Sequence, residues 1–293
     1  MASGETTTTS VADALNSMVS SARFVRDYES VVPKSVDRQT LSNGTGLSWI
    51  EDRVERMTAQ DVNENTILDN YQQYEDTKFS ITPTMSGIAT FVSDRTMRRI
   101  DSKVAALLRG QAMQKAMERK KDLDGIAQFA NFSTTLAGTG QTMSHGFIGA
   151  GVSRILGNTT ETGQGAGEIM AVLHPFQIKD LRDELIVGVG TYTVPQGLSE
   201  EYYRKGFSGT VADANVWSDG NIPINSTPDA RGAVFARDAI VLVQGMSPSS
   251  KSRYREEKGG GGTDYFLYDE YAYGQRRDAW GFSILTDATV PSN

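Results

Sequence analysis

A mixed α+β architecture is what this 293-residue sequence predicts, and three observations carry the prediction. A helical apolar stripe runs from Ser93 toward Phe132. Period-two alternation marks Phe79 to Met85, and a strand hands over to a helix between Ile169 and Leu185. The length suits about two domains. With 38% hydrophobic residues, 29 glycines and 8 prolines, the composition is that of a turn-rich globular protein and excludes a fibrous or wholly disordered one.

Taken in order, the chain opens with Ser10 and Asp13 as a capping-box variant. Val11, Leu15, Met18, Ala22 and Val25 follow at helical spacing, and Pro33 bars continuation. Such a helix can dock on its own domain or on a neighbour. Leu47-Ser-Trp49 begins an extended segment. Phe79, Ile81, Pro83 and Met85 then fall on one face of a strand, Ser80, Thr82 and Thr84 on the other, and the proline makes it an edge strand. Between them, Glu51 to Asp76 holds eight acids against Arg53 and Arg56, a net of 2 − 8 = −6. A two-stranded ribbon of this kind is marginal alone, so it is expected to lie on something else.

Ser93 or Asp94 caps the longest helix, whose stripe is Met97, Ile100, Val104 and Leu107/Leu108, extended by Met113 and Met117. From Arg95 to Lys121 nine bases oppose two acids, a net of +7 that reads either as a solvated face or as a surface for an acidic partner. Further on, helices are expected over 146–156, 176–185 and 198–204, with a glycine loop at Gly188 and Gly190. Strands are expected over 169–173, 207–217, 233–243, 265–273 and 280–285.

Net charge is 29 − 36 = −7, which argues against a dedicated nucleic-acid binder. The absence of cysteine excludes disulfides, thiolate nucleophiles and cysteine zinc sites. Neither a membrane-length apolar run nor a signal-peptide pattern occurs, which reads as a soluble protein made inside the cell.

Motifs of catalysis are missing. Gly157 to Gly163 is one residue too long for a phosphate loop, and Gln164 stands where lysine is needed. Gly149-Ala-Gly151 lacks a third glycine, and no His-Glu-x-x-His or Gly-x-Ser-x-Gly occurs. A hydrolase built on His145 or His174 with an acid from Asp180 to Glu184 has no support in spacing, and a structural histidine is the better reading. No catalytic residue, metal or cofactor is expected.

Several phrases in order carry a resemblance: Ala171-Val-Leu-His-Pro-Phe-Gln-Ile-Lys-Asp-Leu181, Gly209-Thr-Val-Ala-Asp-Ala-Asn-Val216, Arg237-Asp-Ala-Ile-Val-Leu242, and Tyr271-Ala-Tyr-Gly-Gln-Arg-Arg-Asp-Ala-Trp-Gly281. With them the chain resembles the major capsid proteins of tailed bacteriophages, the Hong-Kong-ninety-seven-type fold. The resemblance implies an N-terminal arm (1–40), an extended β-ribbon loop (41–92), a peripheral domain with a long spine helix (93–132 and 241–275) and an axial domain (133–240 and 276–293). It implies a non-enzymatic protein that self-assembles into pentamers and hexamers of an icosahedral head around double-stranded DNA, located in the virion and assembled in the host cytoplasm. Expected partners are further copies of itself, a separate scaffolding protein, a portal, a decoration protein and weakly held DNA, with no membrane. No motif fixes a cross-linking pair. An encapsulin-like nanocompartment, or an α/β enzyme with an unrecognised site, are the alternatives.

Candidate subunit contacts follow from charge and alternation. Glu51, Asp52 and Glu55 of the acidic ribbon are expected to meet Arg98, Arg99 and Lys103 of a neighbour's spine helix, with Phe79, Ile81 and Met85 supplying apolar contact.

Overall fold

A computed structural model describes residues 5–6, 30–42, 44, 46–54, 57, 59, 61–64, 71, 76–99, 110, 112–158, 166–187 and 209–291. The expected helices over 11–25 and 198–204, the glycines at 188 and 190, and the stripe residues at 100, 104, 107 and 108 lie outside them.

The chain order begins β1 (Glu5–Thr6), α1 (Val32–Ser35), β2 (Asp37–Thr40), β3 (Trp49–Val54), β4 (Asp76–Ile81) and β5 (Thr84–Ser93). It continues with α2 (Asp94–Arg99), α3 (Ala112–Ala127), β6 (Thr135–Ala137), α4 (His145–Leu156), β7 (Ile169–Leu173) and α5 (Pro175–Val187). β8 (Thr210–Val211), β9 (Ala214–Ser218), β10 (Asp229–Ala236), β11 (Ile240–Arg255), β12 (Gly262–Gln275) and β13 (Gly281–Asp287) complete it. Among the described residues these strands form a six-stranded sheet ordered β6-β13-β10-β7-β9-β8, a five-stranded sheet ordered β1-β5-β12-β11-β2, and the separate β3–β4 ribbon.

The six-stranded sheet is apolar on both faces because both are covered. In β7, Ile169, Ala171 and Leu173 enter one core with Ile148, Val152 and Ile155 of α4 and Ile178 and Leu181 of α5. Met170 and Val172 point the other way, into a second core with Ile126 of α3, Phe129, Phe132 and the 31–36 strap. This explains why Ile169 to Leu173 reads as an unbroken apolar run: all five residues are buried.

The corner after β7 is a capping box in which histidine replaces the usual hydroxyl residue. His174 Nδ1 accepts the Phe176 N–H at 3.2 Å, while the His174 N–H donates to Gln177 Oε1 at 2.9 Å. Gln177, fully buried, also donates to the Ala230 carbonyl (2.9 Å) and to Thr286 Oγ1 (2.7 Å), tying α5 to β10 and β13. Burial lowers the His174 pKa and favours the neutral ring that can accept.

The five-stranded sheet is built on a long hairpin. β11 and β12 run 16 and 14 residues, and β5 pairs antiparallel with β12 over ten of them. Gly259, Gly260 and Gly261 turn the tip at φ +40°, +97° and +87°, values that favour glycine. The expected strand end at Val243 is corrected: β11 continues to Arg255 through register shifts between Gln244 and Met246 and between Met246 and Ser249. Gly245, Ser247 and Pro248 drop out of the ladder there, so a proline and a glycine sit where a bulge needs no paired N–H.

Two other expected strands, and the start of this one, are also corrected. Thr82-Pro83 splits 79–85 into β4 and β5. Positive φ at Ala212 and Asp213 splits 207–217 into β8 and β9, and a 3₁₀ turn at Arg237–Ala239 separates β10 from β11.

Helix α3 lies on the long hairpin. Lys121 reaches the buried Asp269 at 2.6 Å and lies 4.8 Å from the Tyr271 ring centre, and Tyr271 donates to Asp124 Oδ2 at 2.7 Å. Burial, then the bond to Asp124, raises the Tyr271 pKa, so the hydroxyl remains a donor.

Because Gln177 serves three buried partners, Gln177→Ala is expected to cost about 3 kcal/mol in urea-unfolding free energy. His174→Asn, which keeps a side-chain acceptor at the cap, should cost less than about 1 kcal/mol. A comparable loss in both variants would show that His174 does more than cap.

Candidate functional site: the ribbon and its anchor

The β3–β4 ribbon sorts its side chains by alternation. In register, Trp49 opposes Ile81 and Glu51 opposes Phe79 on the inner face; Ile50 opposes Ser80 and Asp52 opposes Lys78 on the outer. The inner face seats on the chain's own hairpin: Ile81, 5% exposed, packs with Val241 and Val243 of β11, and Trp49 meets Phe79 edge-on at 6.3 Å. A Cβ on Gly274 would stand 2.5 Å from Ile81 Cδ1, so β12 leaves room for the ribbon by having no side chain there. The outer face is open, with Ile50 58% and Met85, just beyond the ribbon, 65% exposed.

One guanidinium locks the seat. Arg276 Nε donates to Glu51 Oε2 at 2.8 Å, Nη2 to Asp37 Oδ2 at 2.9 Å, and Nη1 to the Asp238 carbonyl at 3.1 Å. Its plane also lies 5.9 Å from the Trp49 ring centre. Ribbon, strand β2, the 237–239 turn and the end of β12 thus share one cation, in the fork geometry that arginine supplies and lysine does not.

At the far end of β5, Ser93 Oγ accepts the Thr96 N–H at 3.2 Å and so caps α2. The Asp94 N–H donates to the Gly261 carbonyl (3.0 Å) and Tyr254 donates to Asp94 Oδ2 (2.7 Å), fixing the glycine tip against the helix start. Arg95, Arg98 and Arg99 are exposed. Ten residues of β5, roughly 30 Å of strand, separate this cationic end from the ribbon's root.

Among the described residues, His145 and His174 are both engaged in the fold. Glu184 Oε2 does meet His145, at 2.8 Å from Nδ1, but the same oxygen takes the His145 backbone N–H at 2.7 Å and so serves the first turn of α4. An open depression of about 460 Å³ is lined by Ser153, Arg154, Gly157, Asn158 and Phe282, a set without an acid or a histidine. Among the described residues no three His, Asp or Glu side chains gather as a metal site, and no helix is long and apolar enough to cross a membrane.

No protein-family model matches the sequence, and no curated protein does. Solved structures do. A structure of Mycobacterium phage Che8 aligns with TM-score 0.69 at 13% identity, over 92% of this chain and 97% of that one. The capsid of Ralstonia phage GP4 aligns with TM-score 0.69 at 12% identity, over 96% and 98%. The capsid of cyanophage P-SCSP1u does so with TM-score 0.69 at 12% identity, over 94% and 93%. This chain has the Hong-Kong-ninety-seven-type capsid fold.

Within that capsid fold, the residues singled out from sequence separate into three groups. Phe79, Ile81 and Glu51 are engaged inside the chain, the first two in the ribbon seat and the third on Arg276. Asp52, Met85, Arg98 and Arg99 are exposed, and Glu55 and Lys103 lie outside the described residues. Lys120 and Lys121, counted in the cationic run, pair with Asp124 and Asp269 of the same chain. Arg276 itself escaped the sequence reading. Its only signal was an arginine pair among the aromatics and acids of Tyr271 to Gly281.

Arg276→Ala is expected to speed amide exchange in β3 and β4 by at least about tenfold, equivalent to about 1.4 kcal/mol of lost charged hydrogen bonds, while β7 and β10 keep their protection. Arg276→Lys should recover little of it, because an ammonium lacks the planar fork that serves these acceptors. Unchanged ribbon exchange in both variants would refute the anchor.

Proposed function

We propose that this chain is a major capsid protein that assembles through pentamers and hexamers into an icosahedral phage head enclosing double-stranded DNA. The observation that carries the reading is the likeness to phage capsid structures over more than nine-tenths of both chains. The domain divisions implied by the resemblance, a virion location, and partners such as scaffold, portal and decoration protein belong to the same proposal.

The physics supports a shell subunit. The ribbon holds its inner face on its own chain and presents Ile50 and Asp52 outward, with Met85 just beyond it, an apolar and acidic surface left exposed among the described residues. Arg98 and Arg99, a strand-length away, are suited to the acidic ribbon of another copy, giving register and steering more than raw affinity. An overall charge of −7 also suits a shell whose contact with packaged DNA must be weak enough for the genome to move.

Electron microscopy of the expressed protein at low salt tests this directly. The native chain is expected to give closed shells. The triple variant Arg98→Glu, Arg99→Glu, Lys103→Glu should remain a folded, soluble subunit by circular dichroism and sedimentation. Shells from that variant at low salt would refute the charge pairing. Small soluble native particles at every concentration would refute the capsid reading, and shells that hold cargo protein in place of DNA would redirect it to a nanocompartment.

A further inference from the structure

A buried pair of aspartates stands where three segments meet. Asp122 belongs to α3, Asp219 follows β9, and both side chains are fully buried. Asp122 Oδ1 accepts the backbone N–H groups of Val31 and Val32 at 3.0 Å each, and its Oδ2 accepts Asn221 Nδ2 at 2.9 Å. Asp219 Oδ1 accepts the Asn221 N–H at 2.9 Å, and the Asp219 N–H donates to the Leu173 carbonyl closing β7, also at 2.9 Å.

Asp219 Oδ2 is buried with no protein donor. Asn221 places the Asp122 carboxyl beside it, since its backbone N–H goes to one carboxyl and its side-chain amide to the other. Two carboxylate oxygens are both acceptors, so this contact is a bond only when one of them carries a proton. With both ionised it is like-charge repulsion in a buried site.

We propose that Asp122 and Asp219 share one proton and act as a proton-sensitive latch joining the spine helix and the 31–36 strap to the six-stranded sheet. The surroundings favour that state. Burial first, then the Asp122 charge and the contact with Asp122, push the Asp219 pKa up to about 7, against the bond from the Asn221 amide. Facing groups on the packed elements are Asp124 on α3, whose carboxylate takes the Tyr271 hydroxyl, and Tyr273 on β12, whose buried hydroxyl feels the Asp122 charge. Arg38 on β2 acts on Tyr273, and His174 at the β7–α5 corner has its pKa lowered by burial.

The direction follows from linkage. An acid whose folded pKa lies above its unfolded value binds more protons when folded, so its stabilisation is full below about 4 and is lost as pH rises through about 7. Asp229 and Asp278 are shifted down. For Asp229 the cause is the Gly140 N–H bond; for Asp278, bonds from Ser133 and Gln275 outweigh burial. Both titrate below this window, and Asp180 and Asp238, raised by burial, stand alike in the native chain and the variant and cancel in the comparison.

The test is thermal unfolding of the full-length chain from pH 5.5 to 8, native against Asp219→Asn. The native chain should lose stability with rising pH, its folding equilibrium changing by up to about tenfold per unit. Asp219→Asn, whose amide donates to Asp122 at every pH and which keeps both histidines, should remove that slope. Exchange of the Val31 and Val32 amides should rise with pH in the native chain relative to the variant. Should the variant not fold, carbon-13 spectra of native aspartate carboxyls must show one group titrating near 7. Equal slopes in the two chains, all aspartates titrating below about 5, or native stability at pH 8 restored by added calcium would each overturn the latch.

Discussion

A two-stranded ribbon cannot stabilise itself in water, and in this chain the difficulty is met by one arginine and one missing side chain. Arg276 takes acceptors from the ribbon, from β2 and from the 237–239 turn, while Gly274 two residues earlier leaves the space that Ile81 fills. Gly274 lies at the end of β12 and Arg276 directly follows it, where the chain leaves the five-stranded sheet. The placement of the ribbon is therefore set at the same point where the two sheets are joined. A displacement there would move the ribbon and the sheet together.

That junction is stitched by backbone as much as by side chains. The chain crosses between the sheets at 237–239, again at 276–280, and a third time where α3 ends and β6 begins. The Arg276 N–H donates to the Ala239 carbonyl at 2.8 Å, binding the first two crossings. The Ser133 N–H donates to Asp278 Oδ1 at 2.9 Å, and the Gln275 amide reaches the same oxygen at the same distance, binding the third. Beneath them Phe129, Phe132 and Phe235 pack at ring distances of 5.6 and 6.5 Å, which fills the neck with rigid aromatic volume. Hydrogen bonds there set direction and the aromatics resist compression.

Much of this was legible where local chemistry and global fold agree. The strand-to-helix corner at His174-Pro175 follows from the restriction proline places on its neighbour and from its fitness for a first helical turn; the structure adds that Gln177 completes a capping box. Ser93, one of two candidate caps, is the one used. What could not be read was decided by long-range partners. Gly245 to Ser250 looks like a turn by composition, yet β12 supplies a ladder along which it continues as a bulged strand. The apolar alternation of Phe79 and Ile81 is correct as a face, but sequence cannot say whether the chain itself or a neighbour receives it. Arg276 and Asp219 carry no local pattern, because their partners lie as far as 239 residues away.

The buried polar groups of the described residues lie where elements join. An enzyme concentrates its unusual ionisable groups around a cleft where they face a substrate. Here the buried polar groups are distributed along joints: Gln177 between α5 and the six-stranded sheet, Asp269 with Lys121 between α3 and the long hairpin, Asp122 with Asp219 between α3, strap and sheet. Buried ionic contacts are weak contributors to net stability but are costly to break singly, by about 3–5 kcal/mol when one partner is lost. Their effect is therefore to penalise intermediate positions of one element on another. Such joints hold the angles between elements more firmly than additional apolar area would, since apolar contacts tolerate sliding and paired polar ones do not.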